Sequence, residues 1–217
     1  MDELIRNLAV YALPVIFAIT MHNAAQAYAA KYFGDLTPFA AGRVTTNPLA
    51  HIDPFGTIIL PALMYLATGF VFGYAKPLPI DYSRLRNPKR DMAFVALSGT
   101  VAHFGMALLW LLMGIFLDYF GVSEPFPNKV AKAGVITNLL LLAFNLLPIP
   151  PMDGGRVVFS LLPNKLAYKY AKIEPYGFFI LLGLMLLKLL VYWVIPIVAV
   201  SQLLLQLIVY PLNFLLT

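Results

Sequence analysis

The stretch Asn145-Leu146-Leu147-Pro148-Ile149-Pro150-Pro151-Met152-Asp153-Gly154-Gly155-Arg156 interrupts an otherwise apolar part of the chain. Its three prolines and two glycines cannot continue an α-helix, so the apolar run before it must end here. Backbone that leaves helical geometry at membrane depth is stable only where it packs inside protein or lines a cavity. The stretch therefore predicts a broken helix, and the carboxyl group of Asp153 beside the break is a candidate functional group.

The composition of the whole chain excludes a soluble globular protein. Of its 217 residues, 61% are hydrophobic and only 12% are charged. About 20 apolar helical residues span a bilayer, and the chain has several such runs. We expect an all-α polytopic membrane protein of about five to six transmembrane helices in one membrane-embedded domain, 1–217. The net charge of +5 is attributed to loops, and no nucleic-acid partner is expected. Cysteine is absent, so a metal would need His, Asp or Glu ligands.

Short polar segments divide the apolar runs. The predicted runs are 8–33, 56–74, 92–117, 132–147 and a C-terminal helix pair at 176–217 with Pro196 near its join. Residues 36–53, between the first two runs, are predicted to form a short re-entrant or β-hairpin segment near the interface. Whether 56–74 crosses the membrane or re-enters it is left open. Small residues at the start of the 92–117 run would allow close helix approach: Ala96, Ser98, Gly99 and Ala102.

Two basic segments set the expected orientation. Residues 84–90 and 156–172 are rich in Lys and Arg, and the positive-inside rule places both in the cytoplasm. Asp153 would then lie near the cytoplasmic face. We therefore expect an integral, multi-pass protein whose site is near the cytoplasmic face of the membrane.

The first apolar run contains polar side chains. His22 and Gln26 are four residues apart, so they lie on one face of a helix, one turn from each other. Two histidines at this spacing would bind zinc, but here the second is a glutamine. A lone His beside Asn and Gln is more often a packing contact than a ligand. Asp153 strengthens the interpretation of His22 as a metal ligand if the fold brings the two together. A buried carboxylate is costly unless it is paired or bound to a metal ion. A simple helix cap is the alternative for Asp153.

Several motifs, taken in order, carry a family resemblance. They lie at His22–Gln26, 43–54, 74–79, 86–88 and 145–155, between Pro14 and Pro163. This arrangement resembles the site-2 protease family of intramembrane zinc metalloproteases, in its compact bacterial branch without a PDZ domain. The resemblance makes 8–163 a metalloprotease-like core. It implies a bacterial inner-membrane location, a zinc cofactor, and partners that are transmembrane segments of membrane proteins within the lipid bilayer.

The resemblance also implies site residues. In that family the first helix reads His-Glu-x-x-His, and its two histidines and a later Asp hold zinc while the Glu is the general base. His22 and Asp153 correspond to metal ligands, Gln26 stands where the second His is expected, and Asn23 stands where the Glu is expected. The motif around Asp153 includes the supporting residues Asn145, Pro148 and Gly154.

The departures from the family pattern predict a loss of activity. Asn23 cannot accept a proton near neutral pH, and the neutral amide of Gln26 is a poor zinc ligand. We therefore expect a protease scaffold that is inactive with this sequence. The alternative is a non-catalytic membrane interaction protein that binds transmembrane helices. His103 is either a structural residue at a helix interface or a replacement ligand that completes a set with His22 and Asp153. His51 fits a family pattern in its loop rather than a ligand position, and it is interpreted as a fold-level contact.

Overall fold

The computed structural model describes residues 2–60, 63 and 75–216. Within these ranges the chain is helical. The α-helices are, in chain order, α1 (Asp2–Phe33), α2 (Thr37–Ala40), α3 (Pro88–Tyr119), α4 (Pro125–Asn145), α5 (Asp153–Leu161), α6 (Asn164–Ala171), α7 (Gly177–Leu186) and α8 (Leu190–Leu216). Short 3-10 turns lie at Pro48–Ala50, Tyr82–Arg84 and Glu174–Tyr176, and a π-helical turn lies at Pro54–Ile59.

The ends of the long helices follow from local sequence. α1 ends where Gly34 adopts a left-handed conformation, with φ of +114°, which side-chain-bearing residues rarely adopt. α3 begins with Pro88 in its first turn, where a missing N–H costs nothing. The carboxylate of Asp91 accepts a hydrogen bond from the backbone N–H of Asn87 at 2.8 Å, which satisfies a donor at the start of α3.

Two helices in the described part of the chain are long and apolar enough to cross a membrane. They are α3 and residues Leu190–Leu212 of α8. The expected count of five to six spans therefore stays a prediction. The apolar run 56–74 falls largely outside the described residues, beyond the turn that ends at Ile59.

The predicted C-terminal helix pair is corrected in two respects. The join lies at Leu187–Leu189, where Lys188 has a φ of +57°, and Pro196 lies inside α8. α7 has 10 residues. At 1.5 Å per residue it is about 15 Å long, roughly half the hydrocarbon thickness, so α7 is too short to span the bilayer.

Residues 36–53 fold as α2 and a 3-10 turn, and this described segment contains no strand, so the β-hairpin alternative is wrong for it. Buried polar groups hold the segment to the chain that follows residue 74. The carboxylate of Asp35 accepts hydrogen bonds from the backbone N–H groups of Thr37 and Asp81, both at 2.9 Å. The guanidinium of Arg43 donates to the carbonyl oxygens of Lys76 and Pro77.

α1, α3 and α4 pack together as the core of the protein, with α5 against α3. Small residues line these helix contacts, and the fully buried ones include Ala18, Ala27, Ala30, Ala96, Ala107 and Ala143. In lipid, helices associate through close van der Waals packing, which small side chains permit. The close approach predicted at the start of the third run is confirmed at Ala96 and Gly99. α8 joins the core through Leu205, which packs with Ala107 and Leu139.

Candidate functional site

Three of the predicted site residues meet between α1 and the start of α5. His22 and Gln26 lie one turn apart on α1, and Asp153 is the first residue of α5. The Nε2 atom of Gln26 donates a hydrogen bond to Oδ1 of Asp153 at 2.8 Å. The Nε2 atom of His22 lies 3.4 Å from Oδ2 of the same carboxylate. The fold thus brings His22, Gln26 and Asp153 together, although 127 positions separate Gln26 from Asp153.

The orientation of the Gln26 amide is fixed by its neighbours. Its nitrogen contacts Oδ1 of Asp153 and, at 3.4 Å, the carbonyl oxygen of Ala96. The carbonyl oxygen is always a hydrogen-bond acceptor, and an ionised Asp153 carboxylate has no proton to donate. The NH₂ end of the amide must therefore face both oxygens. Gln26 therefore offers donors to the carboxylate, and its carbonyl oxygen points elsewhere.

Gly99 allows α3 to lie directly over these residues. A Cβ atom at position 99 would come within 2.5 Å of Cε1 of His22 and 2.9 Å of Nε2 of Gln26. These separations are shorter than van der Waals contact, so a larger residue would push α3 away from α1. Because Gly99 has no side chain, α3 packs directly on His22 and Gln26 and covers this side of the site.

The two glycines after Asp153 pack against the broken segment. A Cβ atom at Gly154 would collide with the carbonyl oxygen of Leu146, and one at Gly155 would lie 2.6 Å from the backbone nitrogen of Pro150. The Pro-rich segment 146–152 therefore lies against the first turn of α5. This contact fixes the position of Asp153 relative to the end of α4.

Arg156 is a charged neighbour that the sequence analysis counted only within a basic segment. Its Nη1 atom lies 3.8 Å from Oδ1 of Asp153, and its guanidinium carbon lies 5.1 Å from the centre of the Tyr82 ring. The sequence could have predicted this proximity, because a spacing of three residues on a helix places Arg156 about one turn after Asp153. No sequence pattern indicated that Tyr82 would lie there.

Asn23 is buried beside the site, with 8% of its surface exposed. Its Nδ2 atom makes no hydrogen bond to the described residues. An amide cannot take up a proton as a carboxylate does, so this position supplies no general base near neutral pH.

His103 lies next to His22 but is held by two asparagines. The two imidazole rings have their centres 4.8 Å apart. Nδ1 of His103 is 3.1 Å from Oδ1 of Asn138, and Nε2 is 3.3 Å from Nδ2 of Asn145. The Asn138 amide is itself oriented, since its Nδ2 donates to the carbonyl oxygen of Gly134 at 2.9 Å.

This hydrogen bonding assigns both ring nitrogens of His103. The neutral imidazole has one donor and one acceptor, so Nδ1–H donates to Asn138 and Nε2 accepts from Asn145. The Nε2 lone pair, which could bind a metal ion, already accepts the hydrogen bond from Asn145. The geometry therefore favours the structural interpretation of His103 over a replacement ligand, and it gives Asn145 a role in orienting this ring.

Two other sequence-predicted residues have structural contacts. The carbonyl oxygen of Pro148 accepts a hydrogen bond from the Tyr170 hydroxyl at 2.9 Å, which ties the broken segment to α6. His51 is fully buried. Its Nε2 lies 2.8 Å from the carbonyl oxygen of Thr45, and its Nδ1 lies 3.5 Å from Nη2 of Arg43. These contacts agree with the interpretation of His51 as a structural residue of the fold.

The donor set does not fit a catalytic zinc ion. Such sites use three protein ligands from imidazole, thiolate and carboxylate. Here only His22 and Asp153 belong to these classes, and the NH₂ group of Gln26 is turned toward the carboxylate that would be a ligand. Across the part of the chain that the structure describes, no three His, Asp or Glu residues are arranged to hold a metal ion.

Comparison with known proteins relates the chain to a family of peptidases. The family model described as Peptidase family M50 matches residues 126–188, a range that includes Asp153 but not His22. The chain is 33% identical over 177 residues to "Putative zinc metalloprotease YwhC" of Bacillus subtilis, covering 79% of this chain and 78% of that protein. It is 27% identical over 180 residues to "Putative zinc metalloprotease Rip2" of Mycolicibacterium smegmatis, covering 82% and 67%. No solved structure matches the chain.

Proposed function

This chain belongs to the site-2 protease family, Peptidase family M50, and we propose that it is a metal-free member that binds transmembrane segments of other membrane proteins without cleaving them. The observation that carries the proposal is the hydrogen bond from the Gln26 amide to Asp153. It supplies the buried carboxylate with a partner where a metal would otherwise compensate its charge. We therefore propose the second of the two functions considered for the sequence, that of a non-catalytic protein that binds transmembrane helices.

The loss of the general base supports the same conclusion. General-base catalysis contributes typically 10² to 10⁴ in rate, and Asn23 offers no proton acceptor. A chain with a weak donor set and no base lacks both means of activating water. Binding of a transmembrane segment, by contrast, requires neither a bound metal ion nor a general base.

We place the site near the cytoplasmic face of a bacterial inner membrane. The basic segments 84–90 and 156–172 meet at one end of the molecule, as the hydrogen bond from Lys89 to Asn164 at 3.1 Å indicates. Asp153 begins the nine-residue helix α5 that leads to this end. The positive-inside rule assigns such segments to the cytoplasm. The relatives from Bacillus subtilis and Mycolicibacterium smegmatis are bacterial proteins, which supports the choice of membrane.

The test compares the parent chain with the double variant Asn23→Glu/Gln26→His. Both proteins are purified in detergent, their zinc content is measured, and each is mixed with a model transmembrane substrate. We expect the parent to contain little zinc and to leave the substrate intact. The double variant should bind about one zinc per chain and cleave, since the imidazole and the carboxylate complete the ligand set and the base.

A second measurement tests binding. Excess parent chain, added to the double variant and its substrate, should slow cleavage by sequestering the substrate, whereas an unrelated multi-pass protein at the same concentration should not. Stoichiometric zinc or cleavage in the parent would overturn the metal-free assignment. Unchanged cleavage in the presence of excess parent would overturn the binding function.

A further inference from the structure

A second surface of the protein is basic, apolar and separate from the His22–Asp153 site. α6 carries Lys165 and Lys169 one turn apart, and Lys172 follows one turn later at the end of the helix. All three are exposed. The next acidic residue along the chain after Asp153 is Glu174, so no carboxylate within α6 neutralises these charges.

Large apolar side chains are exposed on the same short helix and just beyond it. Leu166 is 51% exposed, Tyr168 is 67% exposed, and Ile173 and Tyr176 follow at 37% and 65%. Lys172 lies 4.7 Å from the centre of the Tyr168 ring. In water an exposed helix face would carry polar residues between its charges. Lysines beside leucine and tyrosine are instead typical of a helix that lies in a membrane interface.

The fold brings the second basic segment against α6. Lys89, at the start of α3, donates hydrogen bonds to the carbonyl oxygen of Leu162 and to Oδ1 of Asn164. One turn along the chain from the exposed Arg90, Phe94 is 45% exposed, and the Arg90 guanidinium carbon lies 5.6 Å from its ring centre. The basic residues of both segments therefore face the same end of the molecule.

A cavity of about 430 Å³ lies between these two segments. Met92, Phe159, Ala167 and Ala171 give it a mainly apolar lining, and Lys89 and Tyr168 also line it. A cavity of this kind suits a hydrocarbon chain, while the lysines of α6 suit a phosphate group.

We infer that this face binds an anionic phospholipid, with its headgroup phosphate on Lys165, Lys169 and Lys172 and part of an acyl chain in the 430 Å³ cavity. The positive-inside rule explains why lysines are on this side of the membrane, but it does not explain why the helix that carries them also lines an apolar cavity, through Ala167, Tyr168 and Ala171. Each basic residue near an anionic lipid surface contributes a similar increment of binding. This inference does not depend on the proposed function.

The test uses the full chain in a neutral detergent. Its thermal unfolding is followed as phosphatidylglycerol, phosphatidylcholine of the same acyl chains, or inorganic phosphate is added. The variant Lys165→Gln/Lys169→Gln is compared with Lys129→Gln/Lys132→Gln, a matched pair of exposed lysines at the start of α4, at the opposite end of the molecule. Lys165→Arg/Lys169→Arg keeps the charge and serves as a conservative control.

We expect phosphatidylglycerol to raise Tm more than phosphatidylcholine does in the parent, in the α4 pair and in the arginine variant. The α6 glutamine pair should bind phosphatidylglycerol roughly 30-fold more weakly, the equivalent of about 2 kcal/mol. Equal stabilisation by the two lipids, or an equal loss in the α4 pair, would overturn the inference. Stabilisation by inorganic phosphate alone would identify a phosphate site without a lipid, and would overturn it as well.

Discussion

At the scale of single residues, the site depends on one amide. Gln26 is 3% exposed and Asp153 is 4% exposed, so neither group can rely on water for hydrogen bonds. A buried carboxylate without a partner is costly, and the amide NH₂ of Gln26 supplies the shortest hydrogen bond that Asp153 receives. We therefore expect Gln26 to stabilise the fold, at a position where the family resemblance implies a metal ligand.

Gln26→Met tests this role of the amide. The substitution keeps the length of the side chain but removes the donor, so we expect a loss of about 1–3 kcal/mol in the free energy of unfolding. Thermal unfolding in detergent measures it. Gln202→Met, the same change on an exposed position of α8, is the matched control and should have little effect. In an Asp153→Asn background the loss should shrink, because the charge is gone; an undiminished loss would contradict the prediction.

His51 predicts a dependence of loop stability on pH. Burial lowers its pKa from the ordinary 6.5, and the nearby Arg43 guanidinium adds to the effect. The unfolded chain then binds a proton at a higher pH than the folded chain does. The stability that neutral His51 contributes is present above about pH 6.5 and is lost as the pH falls toward the folded pKa.

Hydrogen exchange in residues 43–52, corrected for the intrinsic pH effect, measures this loss. We expect the parent to lose protection between pH 7.5 and pH 5.5. His51→Gln does not titrate, and its amide can still donate to Thr45 and accept from Arg43, so its protection should change less. If both proteins lost protection equally over this range, His51 would not be the group responsible.

At the scale of elements, the contact between α1 and α3 controls the geometry of the site. Small residues let the two helices approach, and Gly99 lies where α3 passes over His22 and Gln26. The contact between α4 and the start of α5 works in the same way, because Gly154 and Gly155 allow the broken segment to pack against it. Both contacts depend on missing side chains.

Gly99→Ala should destabilise the protein, by about 1–3 kcal/mol, because the added methyl group overlaps His22. Gly105→Ala is the matched control on the same helix, since a Cβ atom there would meet nothing within 4 Å. It should be neutral or stabilising, as alanine favours a helix more than glycine does. Thermal unfolding measures the Tm of both variants. Equal Tm values would contradict the prediction, because they would show that the α1–α3 contact tolerates the methyl group.

At the scale of the whole molecule, the distribution of charge predicts how the helices are oriented across the membrane. The basic segments meet at the end that contains the start of α3 and α6, and the turn between α3 and α4 lies at the other end. If both ends of α3 lie outside the bilayer, the positive-inside rule predicts residues 84–90 in the cytoplasm and residues 120–124 on the outer side.

Single cysteines can test this orientation without background, because the chain has no cysteine of its own. Ser83 and Ser123 are exposed and lie at opposite ends of α3. We expect a membrane-impermeant maleimide to label Ser123→Cys in cells whose inner membrane is intact. Ser83→Cys should be labelled only after the inner membrane is permeabilised. The reverse pattern of labelling would invert the topology.

The amino-acid sequence by itself determined the membrane class, the break after Asn145, the shared helix face of His22 and Gln26, and the family. These features depend on composition and on residues close together in the chain, where local backbone geometry fixes the outcome. The sequence predicted less well where a helix boundary was not marked by a strong breaker, as at the join of the C-terminal helices, which lies at Leu187–Leu189 rather than near Pro196.

Only the tertiary structure decided what the polar residues do. Gln26 meets Ala96 and Asp153, which are 70 and 127 positions away, and that pairing turns its amide nitrogen toward the carboxylate. His103 could be a ligand or a structural residue until Asn138 and Asn145 occupied both of its nitrogens. The direction of a hydrogen bond depends on which atoms the packed helices bring within reach, and that information belongs to the fold.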